Sequence, residues 1–280
     1  MPTAWKKLAR FFARLFAESL CWLGLLSIVR YYVTGLTDFK PDAFWNACYV
    51  GGLYGVMLWE VRRTQKTLPS PSGSLSLNPQ AIEHRLMQWL TGGVVGIFLV
   101  LLCWTVGLTL GMLRWQVPVI QEPVGTLFLS VLFTALAIAF IEERLFRGLV
   151  VDIFALSYSP TQSAILQGGV FSLLHQLNGL WGPEMRLGSG LGLWMVGWIL
   201  AQLRFATRGL ATGMGLHAGW IFICLITARL NGLEYIAQEQ LYWAFQEINP
   251  VSGWVGISVL VGTSYVIMKA NRTTTVQHER

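Results

Sequence analysis

The chain has 280 residues, of which 54% are hydrophobic and 12% are charged, and its mean hydropathy is +0.53. Soluble domains carry about twice that charged fraction, and a chain of this size could not hide so much apolar surface from water, so the composition excludes a disordered chain and a soluble globule. The net charge of +6 comes from Lys and Arg that lie between apolar runs rather than along one stripe, which excludes a nucleic-acid partner. The continuous apolar runs predict an all-α, polytopic integral membrane protein in contact with the lipid bilayer, because a membrane β-barrel would show alternation instead.

The apolar runs predict about eight transmembrane helices, since about 20 apolar residues cross the hydrocarbon core. In chain order the runs cover 15–36, 43–60, 88–113, 124–141 or further, 161–177, 190–203, 209–230 and 251–268. If both termini lie in the cytoplasm, fifteen Lys and Arg fall on the inner side and four on the outer side. This asymmetry follows the positive-inside rule and predicts cytoplasmic N- and C-termini. We therefore interpret the chain as a multi-pass protein of the cell (plasma) membrane.

The first residues, 1–17, have the pattern of an interfacial amphipathic helix. Trp5, Leu8 and Phe12 share one helical face, whereas Lys6 and Arg10 lie off that face. Such a helix lies in the plane of the membrane interface. The apolar run that follows lacks a small-residue cleavage site, so we expect the helix to be retained. We interpret residues 15–280 as a single transmembrane domain.

The clearest interruption of an apolar run is the pair Glu142-Glu143, followed by Arg147. No helix breaker stands between Glu142 and Ser159, so the fourth helix can continue and place Glu142 near mid-membrane. Glu143 and Arg147 are four residues apart and can form an ion pair, whereas Glu142 points about 100° away from Glu143. One carboxylate can then be neutralised while the other faces a cavity. Taken alone, the same pattern also fits a charged helix end at the membrane surface.

Two histidines, His175 and His217, interrupt two further apolar helices. Ionisable side chains are unfavourable in hydrocarbon and usually have a function there. A carboxylate in a medium of low dielectric is a stronger base than in water, so Glu142 and a histidine could hold a water and deprotonate it for attack on a peptide carbonyl. The second histidine could donate to the developing oxyanion. Phe171 lies one turn before His175, which is typical of core packing.

These three fragments, in this order, resemble the CPBP family, the CAAX-processing and bacteriocin-processing intramembrane proteases, which includes the type II CAAX prenyl endopeptidase. The family pattern is EExxxR, then FxxxH, then HxxxN or HxxxD. In this chain the fragments are Glu142, Glu143 and Arg147, then Phe171 and His175, then a last motif that begins at His217. The resemblance covers roughly residues 120–230.

The resemblance implies hydrolysis of a peptide bond in a peptide or membrane-associated protein substrate. It implies that Glu142 and His175 activate water, that Glu143 is a second acid or the partner of Arg147, and that His217 stabilises the oxyanion. The family is described both as metal-independent glutamate proteases and as metalloproteases. A zinc ion held by Glu142, His175 and His217 therefore stays open beside a site without cofactor.

One position departs from the family pattern, because Ile221 stands where the family has Asn or Asp. Isoleucine offers no hydrogen bond, so one oxyanion donor is missing or comes from elsewhere, and loss of one donor slows a protease by about 10²–10³. This departure favours the main alternative, a non-catalytic membrane interaction or immunity-type protein that retains the fold. A bis-histidine haem protein with His175 and His217 as ligands and a proton-coupled transporter are further alternatives, which rank lower.

Overall fold

The computed structural model describes residues 3–36, 42–68, 80–120, 122–177, 187–236 and 249–278. These residues form helices almost throughout, with one pair of short strands among them. The α-helices are α1 (Thr3–Leu36), α2 (Asp42–Gln65), α3 (Gln80–Thr109), α4 (Val124–Glu142), α5 (Val151–Ala155), α6 (Pro160–Leu177), α7 (Leu187–Thr207), α8 (Ala211–Arg229) and α9 (Trp254–His278). A π-helical segment (Glu143–Val150) joins α4 to α5, a 3-10 turn (Pro250–Ser252) precedes α9, and the strands are β1 (Leu113–Trp115) and β2 (Leu233–Tyr235).

The predicted all-helical membrane architecture is confirmed in its coarse form. Among the described residues, four helical stretches are long and apolar enough to cross a bilayer: Thr3–Thr34, Ile82–Thr109, Val124–Ala155 and Ala211–Arg229. The apolar stretch Trp254–Val266 is helical but shorter. The remaining predicted runs fold as α2, α6, α7 and α9, and the count of eight spans stays a prediction.

The fourth predicted helix continues well past Glu142. α4, the π-helical segment and α5 form one continuous rod from Val124 to Ala155, 32 residues long. Glu142 therefore stands in the interior of a long apolar rod and not at its end. This result removes the interpretation of the Glu142-Glu143 pair as a charged helix terminus, and the position of Glu142 near mid-membrane stays a prediction.

α3 and α8 pack with their backbones in contact. A Cβ added at Gly96 would lie 2.1 Å from the carbonyl oxygen of Leu216, and one at Gly215 would lie 1.9 Å from that of Trp89. Only glycine fits such positions, and small residues at helix crossings are typical of membrane helices. The two helices continue into β1 and β2, which pair antiparallel with Leu113 opposite Tyr235. This strand pair holds the ends of α3 and α8 together.

Among the described residues, the two larger apolar cores flank the centre of the bundle. The first lies between α3, α7, α8 and α9, and the second between α1, α2, the rod 124–155 and α6. Residues 3–17 form the first turns of α1, and Leu8 and Phe11 are buried in the second core beside Phe146. Trp5 Nε1 also donates a hydrogen bond to the Tyr158 hydroxyl at 3.0 Å. The interfacial location of this helix stays a prediction.

Candidate active site

The structure brings together the four residues predicted to be catalytic, from three separate rods. Glu142 Oε1 lies 3.6 Å from Nε2 of His175 on α6, and Glu142 Oε2 lies 3.7 Å from Nε2 of His217 on α8. His217 Nδ1 lies 3.1 Å from Glu143 Oε1. The acids and imidazoles that stand far apart in sequence thus form one continuous cluster.

The two neighbouring carboxylates have different surroundings. The Glu143 side chain is 1% exposed, and its Oε1 lies 2.9 Å from NH1 of Arg147, which is fully buried. The Glu142 side chain is 21% exposed and lines a cavity. The expected division between a paired carboxylate and a carboxylate that faces a cavity is therefore seen in the geometry, while the chemical roles stay predictions.

Phe171 connects the buried cation with one of the histidines. The guanidinium carbon of Arg147 lies 4.4 Å from the centre of the Phe171 ring, and the ring centres of Phe171 and His175 are 4.2 Å apart. On the opposite side, a Cβ added at Gly213 would lie 3.1 Å from Glu143 Oε2, so the glycine makes room for this carboxylate. Phe171 and Gly213 thus contact Arg147 and Glu143 directly, and the supporting role of Phe171 stays a prediction.

The hydrogen bonds assign the tautomers of both histidines. His175 Nδ1 lies 2.8 Å from the Phe171 carbonyl oxygen. Since a carbonyl only accepts, His175 Nδ1 carries a hydrogen and donates it. His217 Nδ1 donates to the Glu143 carboxylate for the same reason. In their neutral forms, both imidazoles therefore turn an Nε2 lone pair towards Glu142.

A cavity of about 190 Å³ opens beside Glu142, His175 and His217. Its wall is mostly apolar, and it includes Ile221, so the position that departs from the family pattern faces the site. The polar residues in the wall are Glu142, His175, His217, Asn249 and Thr263. The cavity suits an amphiphilic or apolar group of a substrate. It places that group next to two side chains that can accept hydrogen bonds from a water.

Three residues that the sequence did not single out also belong to this region. Arg204 on α7 donates to the Arg147 carbonyl oxygen and to the Asp152 carboxylate, and so ties the π-helical segment to α7. Asp152 and Arg204 each interrupt an apolar run, and charges inside membrane helices pair with one another, which is the signal that could have found them. Asn249 precedes Pro250, and an Asn-Pro pair is typical of turns. Nothing in that pair indicates that Asn249 lines a cavity.

The part of the chain that the structure describes contains no group of three or more His, Cys, Asp or Glu arranged to hold a metal ion. Zinc at Glu142, His175 and His217 stays a prediction, which elemental analysis of the purified protein would test. The haem alternative gains no support from the geometry, because the Glu142 carboxylate lies against the Nε2 atoms of both imidazoles where an iron would have to sit.

Comparison with known families identifies the region of the site. Residues 124–223 match the family model described as type II CAAX prenyl endopeptidase Rce1-like. The match begins with α4 and ends within α8, so it contains the three motifs from Glu142 to His217. No curated protein matches the chain. The resemblance to the CPBP protease family is confirmed over this segment.

Proposed function

We propose that the chain is an intramembrane endopeptidase of the CAAX-processing type, which hydrolyses a peptide bond with a water activated by Glu142 and His175. One observation carries this proposal: Glu142 lines a cavity within 4 Å of two imidazoles from other helices, while the adjacent Glu143 is ion-paired. The family match supports the reaction class, because the matched family is one of proteases.

The positions of Glu142 and His175 suit a nucleophilic water. Glu142 Oε1 and the neutral His175 Nε2 are both acceptors, so a water beside them donates one hydrogen to each and turns a lone pair to the cavity. As the water oxygen bonds to the carbonyl carbon, Glu142 takes one proton and the carbonyl π electrons move to oxygen. The C–N bond then breaks, the π bond reforms, and Glu142 returns the proton to the leaving amine. The products are a carboxylic acid and an amine.

Glu143 and Arg147 act in this proposal as positioning residues for His217. Glu143 accepts from His217 Nδ1 and thereby aims Nε2 at Glu142 and the cavity. The charge of Glu143 is balanced by Arg147, since an unpaired carboxylate in this enclosed place would be strongly unfavourable. When protonated, His217 can donate through Nε2 to the oxyanion.

The proposed enzyme crosses the plasma membrane eight times with both termini in the cytoplasm. The Lys and Arg asymmetry and the paired strands β1 and β2 support this arrangement, since eight spans put the ends of α3 and α8 on the outer side together. In a variant with the four cysteines replaced by alanine, a membrane-impermeant thiol reagent should label Val117→Cys in intact cells and leave Lys66→Cys unlabelled. The reverse labelling would contradict the orientation.

The function is tested with the purified full chain in phosphatidylcholine vesicles and a fluorogenic peptide that ends in a farnesylated CAAX sequence. We expect Glu142→Gln to lower kcat by about 10²–10⁴, the usual contribution of a general base. Glu83→Gln on α3, the same substitution away from the cavity, should keep wild-type turnover. Equal turnover by wild type and Glu142→Gln would contradict the mechanism.

A second candidate function is the non-catalytic interaction or immunity-type protein, which Ile221 in the cavity wall favours. It predicts equal turnover by wild type and Glu142→Gln in the vesicle assay. It also predicts the same set of protein termini in the membranes of living cells that contain either form. Comparing these termini by mass spectrometry also extends the search to leader peptides and other membrane-adjacent substrates. A set of termini that depends on Glu142 would eliminate this candidate.

A further inference from the structure

While both imidazoles are neutral, the residues that the family pattern provides offer the cavity no hydrogen-bond donor. Attack on a carbonyl places negative charge on its oxygen, which needs an N–H or O–H donor. The Nδ1 hydrogens of His175 and His217 are bonded to Phe171 and Glu143, so the neutral imidazoles offer only lone pairs to the cavity. The Ile221 side chain has no polar atom. A donor is therefore to be sought elsewhere in the wall.

The other two polar residues in the described wall are Thr263 and Asn249. Thr263 donates its hydroxyl to the Val259 carbonyl oxygen at 2.8 Å, within its own helix. Asn249 Oδ1 accepts from Trp220 Nε1 and from the Val251 backbone N–H, each at 3.4 Å. Because both partners are N–H donors, they fix the orientation of the Asn249 amide, with its oxygen towards them. Neither hydrogen of the amide NH2 takes part in these two bonds.

Asn249 contacts the residue that precedes the position departing from the family pattern. Its partner Trp220 directly precedes Ile221, on the turn of α8 that follows His217. The turn that Asn249 caps is firmly seated, since a Cβ added at Gly192 on α7 would lie 1.9 Å from the Val251 carbonyl oxygen. Asn249 and Ile221 thus line the same cavity, although they come from different elements.

We propose that Asn249 is a further catalytic residue, whose amide NH2 hydrogen-bonds the oxyanion of the scissile carbonyl. The donor that Ile221 cannot supply then comes from the turn before α9. This inference rests on the proposed peptidase function. It explains how a chain with isoleucine at position 221 can retain a complete site.

The test uses Asn249→Asp, which is nearly the same size. Aspartate keeps an oxygen for Trp220 Nε1 and the Val251 N–H but replaces the NH2 group with an acceptor. On the farnesylated CAAX peptide in vesicles, kcat should fall by about 10²–10³, the effect of losing one oxyanion donor, while KM and the melting temperature stay close to wild type. Asn231→Asp, the same change in the turn after α8, is the matched control and should keep wild-type kcat.

A second variant separates a catalytic role from a structural one. Adding Ile221→Asn to Asn249→Asp should restore kcat at least tenfold, because it returns a donor to the cavity. Wild-type kcat in Asn249→Asp beside an inactive Glu142→Gln would overturn the role of Asn249 and leave the proposed function standing. A fall in kcat that comes with a lower melting temperature and no rescue would show that Asn249 only caps its turn. Equal turnover by wild type and Glu142→Gln would instead remove the peptidase function itself.

Discussion

The described part of the molecule contains two buried glutamates that each contact arginine, and the two pairs differ in their surroundings. Glu60 on α2 is fully buried and meets Arg14 at 3.0 Å and Arg63 at 2.9 Å, and the arginine side chains are 41% and 53% exposed. Glu143 is equally buried, but its partner Arg147 is fully buried as well. The cluster around Glu60 is therefore an open cluster, because its two arginines are partly exposed. The cluster of Glu143 and Arg147 is enclosed.

The larger difference between the two clusters is the additional side chain that each pair contacts. At Glu60, Arg14 also donates to the Thr64 hydroxyl, so the cluster joins α1 to α2. At Glu143, the additional partner is His217, whose other nitrogen faces Glu142 in the cavity. A buried glutamate–arginine pair by itself is a structural contact. It becomes part of a candidate active site where it orients an imidazole towards a second carboxylate that a substrate can reach.

The largest expected effect is the loss of stability when the enclosed cation is removed. Arg147→Leu leaves the Glu143 charge buried without its cation, which should lower the free energy of unfolding by about 3–5 kcal/mol. Arg63→Leu, the matched change in the open cluster, should lower it by about 1 kcal/mol or less, since Glu60 keeps Arg14. Thermal unfolding in detergent micelles measures both. Similar losses in the two variants would contradict the distinction between the clusters.

A smaller effect is expected from crowding the Glu143 carboxylate. Gly213→Ala places a Cβ 3.1 Å from Glu143 Oε2, so the carboxylate must shift by a few tenths of an ångström. We expect kcat to fall about fivefold, because catalysis is sensitive to displacements well below 1 Å. Gly169→Ala on α6, where a new Cβ meets nothing within 4 Å, is the control. Wild-type kcat in Gly213→Ala would show that catalysis tolerates a shift of this size in the Glu143 carboxylate.

The smallest effect should follow from neutralising the open cluster. Glu60→Gln keeps one oxygen for an arginine and leaves the other arginine to its exposed surroundings, so the free energy of unfolding should fall by about 1 kcal/mol. Turnover of the farnesylated peptide should stay at the wild-type value. A loss of kcat in Glu60→Gln without unfolding would mean that the open cluster communicates with the site.

Much of the fold and of the site could be predicted because membrane helices leave a strong signal. Apolar length predicted a helix at every run, and the absence of a breaker after Glu142 predicted the long rod. Polar residues inside apolar helices are rare, so Glu142, His175 and His217 stood out without any structure. The i, i+4 spacing then predicted the ion pair of Glu143 with Arg147, which the structure contains.

The remaining contacts depend on tertiary geometry, which local pattern does not encode. Gly213 could be recognised as a packing residue, but its neighbour Glu143 comes from a different rod. In the sequence, Asn249 has the pattern of an ordinary turn residue, and only the structure shows its contact with Trp220 on α8. The sequence contains no signal for the π-helical geometry of residues 143–150. Its i→i+5 hydrogen bonds depend on contacts with neighbouring helices, such as the hydrogen bond that Arg204 donates to the Arg147 carbonyl oxygen.

The π-helical segment holds about one residue more per turn than the α-helices on either side, because its hydrogen bonds run i→i+5. Deleting one residue between Arg147 and Asp152 would let the rod close into a regular α-helix in which the residues beyond the deletion keep nearly the same phase relative to Glu142. The same deletion in α4 has no extra residue to remove, so it would turn one end of the rod by about 100° and move it by about 1.5 Å relative to the other. Tolerance to a one-residue deletion is therefore expected in the π-helical segment and not in the α-helices that flank it.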